Sequence, residues 1–302
     1  MRAVGVTYDT GVLYDGRSTR RRFASGTVRA ELRLIAAELH APAVRVVGND
    51  LDRLVLAGEA ALDAGLELWF SPMPMDLEPE QFIEFLAECA AAAEILRKRG
   101  EVVLVLGCEL SVFCRGFVPG ETERRLVAAA RVVFGGRITY AAGMWEDVDW
   151  ALYDIVAVDA YRDAQNEATF ADNLRELQKW GKPVVATEFG CCAYRGAAAR
   201  GGKGWMIVDR TLDPPRLDGR YERDEEEQVR YLRELVEVFD RTGLDAAFWF
   251  SFAGFELPHR PGDPVHDLDV SSYGLVAVDE LGGRQPKRVY GALAELNASR
   301  SG

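Results

Sequence analysis

The chain of 302 residues is 48% hydrophobic and 28% charged, enough apolar material to bury a sizeable core. Its 48 acidic against 36 basic residues leave a net charge of −12, which repels phosphate backbones and argues against nucleic acid as a partner. No uninterrupted run of about 18 apolar residues occurs, so no membrane span is expected.

In chain order, an apolar strand at 4–8 leads to a helix at 28–40, whose apolar positions are Leu32, Ile35, Ala36 and Leu39. A strand at 44–47 precedes a helix around 51–64, and a strand at 66–70 precedes a long helix at 80–99, closed by Gly100. The fourth strand, 102–106, leads to a helix at 121–134. The fifth, 138–142, is followed by a short connection at 145–153, and the sixth, 155–159, by a helix at 168–180. The seventh, 184–187, precedes a helix at 225–241, and the eighth, 246–250, precedes a last helix at 289–298. Strands this apolar are buried on both faces, as in a parallel sheet. Eight of them alternating with helices predict an α/β fold, a single TIM (β/α)8 barrel filling residues 1–302. A doubly wound sheet would want a glycine-rich phosphate loop, and neither G-x-G-x-x-G nor a Walker pattern occurs, so no cofactor is expected. The connections at 190–222 and 252–288 far exceed a usual loop and read as walls of a site.

Five cysteines (Cys89, Cys108, Cys114, Cys191, Cys192) form an odd set without zinc-type pairing. Met1 to Val6 run straight into a strand pattern without a signal segment, and together these features predict a cytoplasmic protein. The adjacent Cys191 and Cys192 read as small buried residues in a crowded turn. The basic stretch Arg17 to Arg22 reads as a solvated loop. His259 and His266 lie with three aspartates in a proline-rich loop whose irregular spacing favours a rigid, substrate-facing loop over a metal site.

Barrel enzymes work at the carboxyl ends of their strands. Those ends supply Tyr8 and Asp9, Arg45, Trp69 and Ser71, Glu109, Tyr140, Asp159 and Tyr161, Glu188, and finally Trp249 and Ser251. Acids, one arginine and aromatic rings suit a small, polyhydroxylated, carbohydrate-like ligand. Glu109 and Glu188 each end an apolar strand, where a carboxylate needs a reason to be. Glycoside cleavage supplies one: a protonated acid for the leaving oxygen and a second carboxylate to attack the anomeric carbon or activate water. Strands four and seven lie across a barrel from one another, and Arg45 and Tyr161 are placed to bind Glu188.

This set resembles the clan A retaining glycoside hydrolases. That resemblance implies acid/base Glu109, nucleophile Glu188, and substrate-side roles for Arg45, Tyr161 and Trp249. Trp69, Tyr8, Tyr140 and Asp159 join them from the strand ends, with Trp249 and Trp69 as sugar platforms. Its most specific piece is Glu188-Phe189-Gly190. One departure is Cys108-Glu109 where the family has Asn-Glu, the Asn bonding the sugar 2-hydroxyl; a thiol is a weak donor. The stretch from Glu188 to Gly196 also resembles actinobacterial barrel proteins labelled abortive-infection proteins. Two other functions fit the same acids: a cofactor-free isomerase, cyclase or lyase of secondary metabolism using them for proton transfer, and a non-catalytic sugar-binding or defence-related barrel. A lipophilic pocket formed by Phe113, Phe117, Phe252 and Phe255 would favour the isomerase, cyclase or lyase.

Overall fold

A computed structural model describes residues 1, 3–14 and 16–300; Arg2, Asp15, Ser301 and Gly302 lie outside it. The apolar runs form eight parallel strands: β1 (Ala3–Asp9), β2 (Ala43–Gly48), β3 (Glu67–Pro72), β4 (Val102–Cys108), β5 (Arg137–Gly143), β6 (Val156–Asp159), β7 (Val184–Phe189) and β8 (Ala246–Trp249). Each pairs with its sequence neighbours, and β8 closes on β1. The architecture is the predicted TIM (β/α)8 barrel.

Helices α1 (Ser25–Ala37), α2 (Leu51–Asp63), α3 (Pro79–Arg97), α4 (Leu110–Phe113), α5 (Glu121–Arg131), α6 (Glu167–Glu176), α7 (Glu225–Thr242) and α8 (Arg288–Arg300) cover the sheet. The local reasons are ordinary: α7 opens on Asp224, which caps the Glu226 N–H, with three glutamates in its first turn against the helix dipole. After β5 the connection holds only a 3-10 turn at Trp150–Leu152.

Side chains alternate along each strand between the helix layer and the barrel interior. Val4, Val6 and Tyr8 of β1 join the outer core, as do Tyr140 of β5 and Trp249 of β8. Ala43, Trp69, Val103, Val105, Val185 and Phe248 fill the inside. Gly5 is needed here, because a Cβ would stand 2.7 Å from the Phe248 ring. Phe248 lies 4.9 Å from the Trp69 ring, so the two plug the lumen.

Alternation breaks on two strands. Opposite β5, Val105 pairs with Thr139 but Cys108 with Ala141, so β4 carries one extra residue around Gly107, at φ +130°. Opposite β6, Val158 pairs with Ala186 but Asp159 with Glu188; opposite β8, Ala247 pairs with Ala186 and Trp249 with Phe189. The bulge on β7 therefore falls at Thr187 and Glu188. An extra residue re-aims the side chain that follows it. Both bulges lie at the ends that carry the two glutamates.

Candidate active site

Arg45 is fully buried inside the barrel. Its Nη1 donates to Glu188 Oε1 at 2.6 Å and its Nε to Ser71 Oγ at 3.2 Å. The Tyr161 hydroxyl donates to Glu188 Oε2 at 2.9 Å, so both carboxylate oxygens are engaged. Burial opposes the charge on Arg45, but Glu188, Cys108 and Asp159 more than reverse this and hold the guanidinium firmly protonated. Cys108 Sγ lies 3.4 Å from Asp159 Oδ2 and 3.9 Å from Glu188 Oε1. Burial, and then the neighbouring Asp159 and Glu188, push the Cys108 thiol up. Burial first, and then the Glu188 charge, push Asp159 well above the usual carboxylate range.

Glu109 follows the β4 bulge in a left-handed backbone conformation, φ +44°, and its amide donates to Ala141 O at 2.9 Å. Such a conformation in a non-glycine residue costs of order 1 kcal/mol and persists where the surroundings over-determine it. Those surroundings are visible. The Leu110 N–H donates to the Tyr140 hydroxyl at 2.6 Å; that hydroxyl, Ser111 N–H and Gly143 N–H all donate to the Glu146 carboxylate. Burial first, then the charges of Glu188 and Glu146, push Glu109 up to about 8. The mouth thus holds one carboxylic acid protonated at neutral pH and, near enough to feel it, one carboxylate bound by two donors.

Several expectations need correction. Tyr8 points outward between sheet and helices, where its hydroxyl donates to buried Glu31 of α1. Arg20 joins the same cluster, 2.7 Å from Glu31 and 2% exposed, so the basic stretch from Arg17 to Arg22 is not simply a solvated loop. Tyr140 also faces outward and reaches no ligand; it braces the backbone after Glu109. Trp249 is buried on the outer face, its indole N–H donating to Tyr273 O at 2.9 Å. Trp69 is buried in the lumen plug, its N–H on Glu67 at 2.9 Å. Neither tryptophan offers a face to a sugar. Asp159, Tyr161, Arg45 and both glutamates do converge.

Two residues were missed. Phe250, two places beyond Phe248 and in phase with it, is half-buried, 5.9 Å ring to ring from Tyr273, which in turn sits 5.8 Å from Tyr161. Counting by twos from Phe248 would have found it in place of Trp249. Glu146 lay in the short connection after β5, and only its charge hinted at a role.

The lipophilic pocket does not form. Phe252 is buried against Tyr8, Phe255 lies over Arg20, Phe113 meets Tyr14, and Phe117 lines a separate cavity of about 190 Å³ with Trp145. The proline-rich loop is tied down by ions: His259 meets Asp267 at 2.8 Å, Arg223 meets Asp269 at 2.7 Å, and buried Lys287 meets Asp269 at 3.0 Å. Cys191 and Cys192 are buried in their turn, as expected.

Residues 75–255, from the loop before α3 past the end of β8, match Glycoside Hydrolase Family 113. The match spans more than half the chain and includes both glutamates. The chain belongs to Glycoside Hydrolase Family 113. Membership makes it a glycosidase-type hydrolase with a carbohydrate substrate. Among solved structures, a Glycoside Hydrolase Family 113 β-1,4-mannanase in complex superposes with a TM-score of 0.69 at 18% identity, over 98% of this chain and 99% of that one. A hyperthermostable endo-1,4-β-D-mannanase from Thermotoga petrophila superposes at 0.56 and 11% identity, over 99% and 100%. Cel5A from Thermotoga maritima, with cellobiose, does so at 0.56 and 12%, over 90% and 97%. These likenesses carry the fold. No curated protein matches the sequence. Among the described residues no helix is long and apolar enough to cross a membrane.

Proposed function

We propose that this family member is a retaining glycosidase in which Glu109 is the acid/base and Glu188 the nucleophile. The observation that carries the reading is the asymmetry of the pair: Glu109 is held protonated to about pH 8, while both oxygens of Glu188 accept hydrogen bonds from Arg45 and Tyr161. Glu109 protonates the glycosidic oxygen as Glu188 attacks the anomeric carbon, giving a glycosyl-enzyme. Glu109, now ionised, takes a proton from the water that hydrolyses it. Arg45 and Tyr161 orient the Glu188 carboxylate and share its charge in the covalent step. Phe250 replaces the tryptophans as the apolar platform.

The likeness to β-1,4-mannanases makes short β-mannosides the first substrates to assay, with β-glucosides beside them. Cys108 stands where the resembled enzymes have an Asn against the 2-hydroxyl, and its thiol is engaged with Asp159. Weak contact at that hydroxyl predicts little discrimination between the two C2 epimers. The decisive experiment incubates the enzyme with 2-deoxy-2-fluoro glycosides bearing a good leaving group and maps the label by mass spectrometry. A glycosyl group on Glu188 supports the assignment. Turnover with inversion, or a label elsewhere, overturns it.

A further inference from the structure

We propose that Cys108, Asp159 and Glu188 together hold a thiophilic divalent cation of the zinc and cadmium class. One ligand atom from each lies within 4.8 Å of the others, and all three side chains are buried. A zinc ion bound to sulfur at about 2.3 Å and to carboxylate oxygen at about 2.0 Å sets tetrahedral S···O edges of roughly 3.5 Å. The observed Sγ separations are 3.4 Å to Asp159 and 3.9 Å to Glu188, which bracket that edge before any side chain moves.

An independent observation points to a missing ligand. Asp159 is 2% exposed and its carboxyl interacts with the Thr187 hydroxyl, yet its Oδ1 makes no well-formed hydrogen bond, and a buried oxygen without a full partner costs about 1–3 kcal/mol. Charge agrees. A thiolate and two carboxylates against the single Arg45 guanidinium leave two negative charges, which a dication neutralises. On binding, the thiol proton, and any proton on Asp159, pass to water, and the sulfur and the carboxylate donate lone pairs to the metal. No second group of three such ligands occurs among the described residues, and the other four cysteines belong to none. A magnesium or calcium ion would gain nothing from the sulfur, so selectivity runs toward soft metals. Occupancy takes Glu188 out of the reaction and makes these ions inhibitors; that consequence alone rests on Glu188 as the nucleophile.

The test titrates the folded protein with cadmium and follows the near-ultraviolet thiolate-to-cadmium charge-transfer band, with activity measured in parallel. The expected result is one cadmium per chain, a band lost in Cys108→Ser, and affinity lowered about tenfold or more in the isosteric Asp159→Asn as one of three ligands goes. Circular dichroism confirms that each variant is folded, and Cys108→Ala replaces Cys108→Ser if the latter is not. Absence of the band in the unsubstituted protein with metal in large excess, or its persistence in the Cys108 variant, overturns the site. A band without inhibition upholds the site and counts against the role of Glu188.

Discussion

At the end of β7, Glu188 is met by donors: a buried guanidinium at 2.6 Å and a phenol at 2.9 Å. At the end of β4, Glu109 meets the opposite environment: partial burial and two further carboxylates, Glu188 and Glu146, that oppose its ionisation. The same side chain, after the same kind of bulged strand end, is thus turned toward two different jobs. The difference teaches that bulges only aim the groups. The neighbours supplied by β2, β6 and the connection after β5 decide their chemistry.

The largest effect is expected at Glu188. Replacing it with Gln removes the proposed nucleophile while keeping shape, and kcat is expected to fall on the order of 10⁴-fold or more, as removal of a covalent nucleophile does elsewhere. A variant with near-normal steady-state turnover would refute the assignment. Glu109→Gln should cost about 10²–10⁴-fold, less on aryl glycosides whose leaving groups need no proton, so the ratio between alkyl and aryl substrates is the measurement. Arg45→Met strands Glu188 in the barrel and should lower unfolding free energy by about 3–5 kcal/mol, read from urea denaturation. Tyr161→Phe removes one hydrogen bond to a charged oxygen, worth about 1.5–3 kcal/mol, and should lower kcat roughly ten- to a hundredfold with little change in KM. The smallest effect lies in the pH profile. In the proposed mechanism Glu109 works protonated, so kcat/KM should decline as pH rises through about 8. Glu146 raises that value by its negative charge, so Glu146→Gln should move the alkaline limb to lower pH; a limb that does not move shows that burial and Glu188 set it.

Much of this site was legible in the chain. Glu109 and Glu188 announced themselves as carboxylates ending apolar runs, Arg45 as a lone cation inside one, and Asp159 and Tyr161 by their place after the sixth strand. The aromatic candidates fared worse, for one physical reason. Tyr8, Tyr140 and Trp249 sit on the phase of their strands that faces the helices, and nearness to a strand end says nothing about which face a ring takes. Trp69 has the inward phase but lies at the depth of the Phe248 plug.

The hydrophobic pattern of eight apolar runs alternating with amphipathic helices was enough by itself to specify the barrel, because strands buried on both faces have few other arrangements. The candidate catalytic carboxylates were equally written in the residue types at the strand ends. Tertiary structure alone decided the rest. Counting by twos from Val185 turns Glu188 outward, and only the extra residue against β6 and β8 turns it in. The raised proton affinity of Glu109 likewise exists only once folding brings Glu188 and Glu146 near it and removes water, since desolvation and charge act through space and not along the chain.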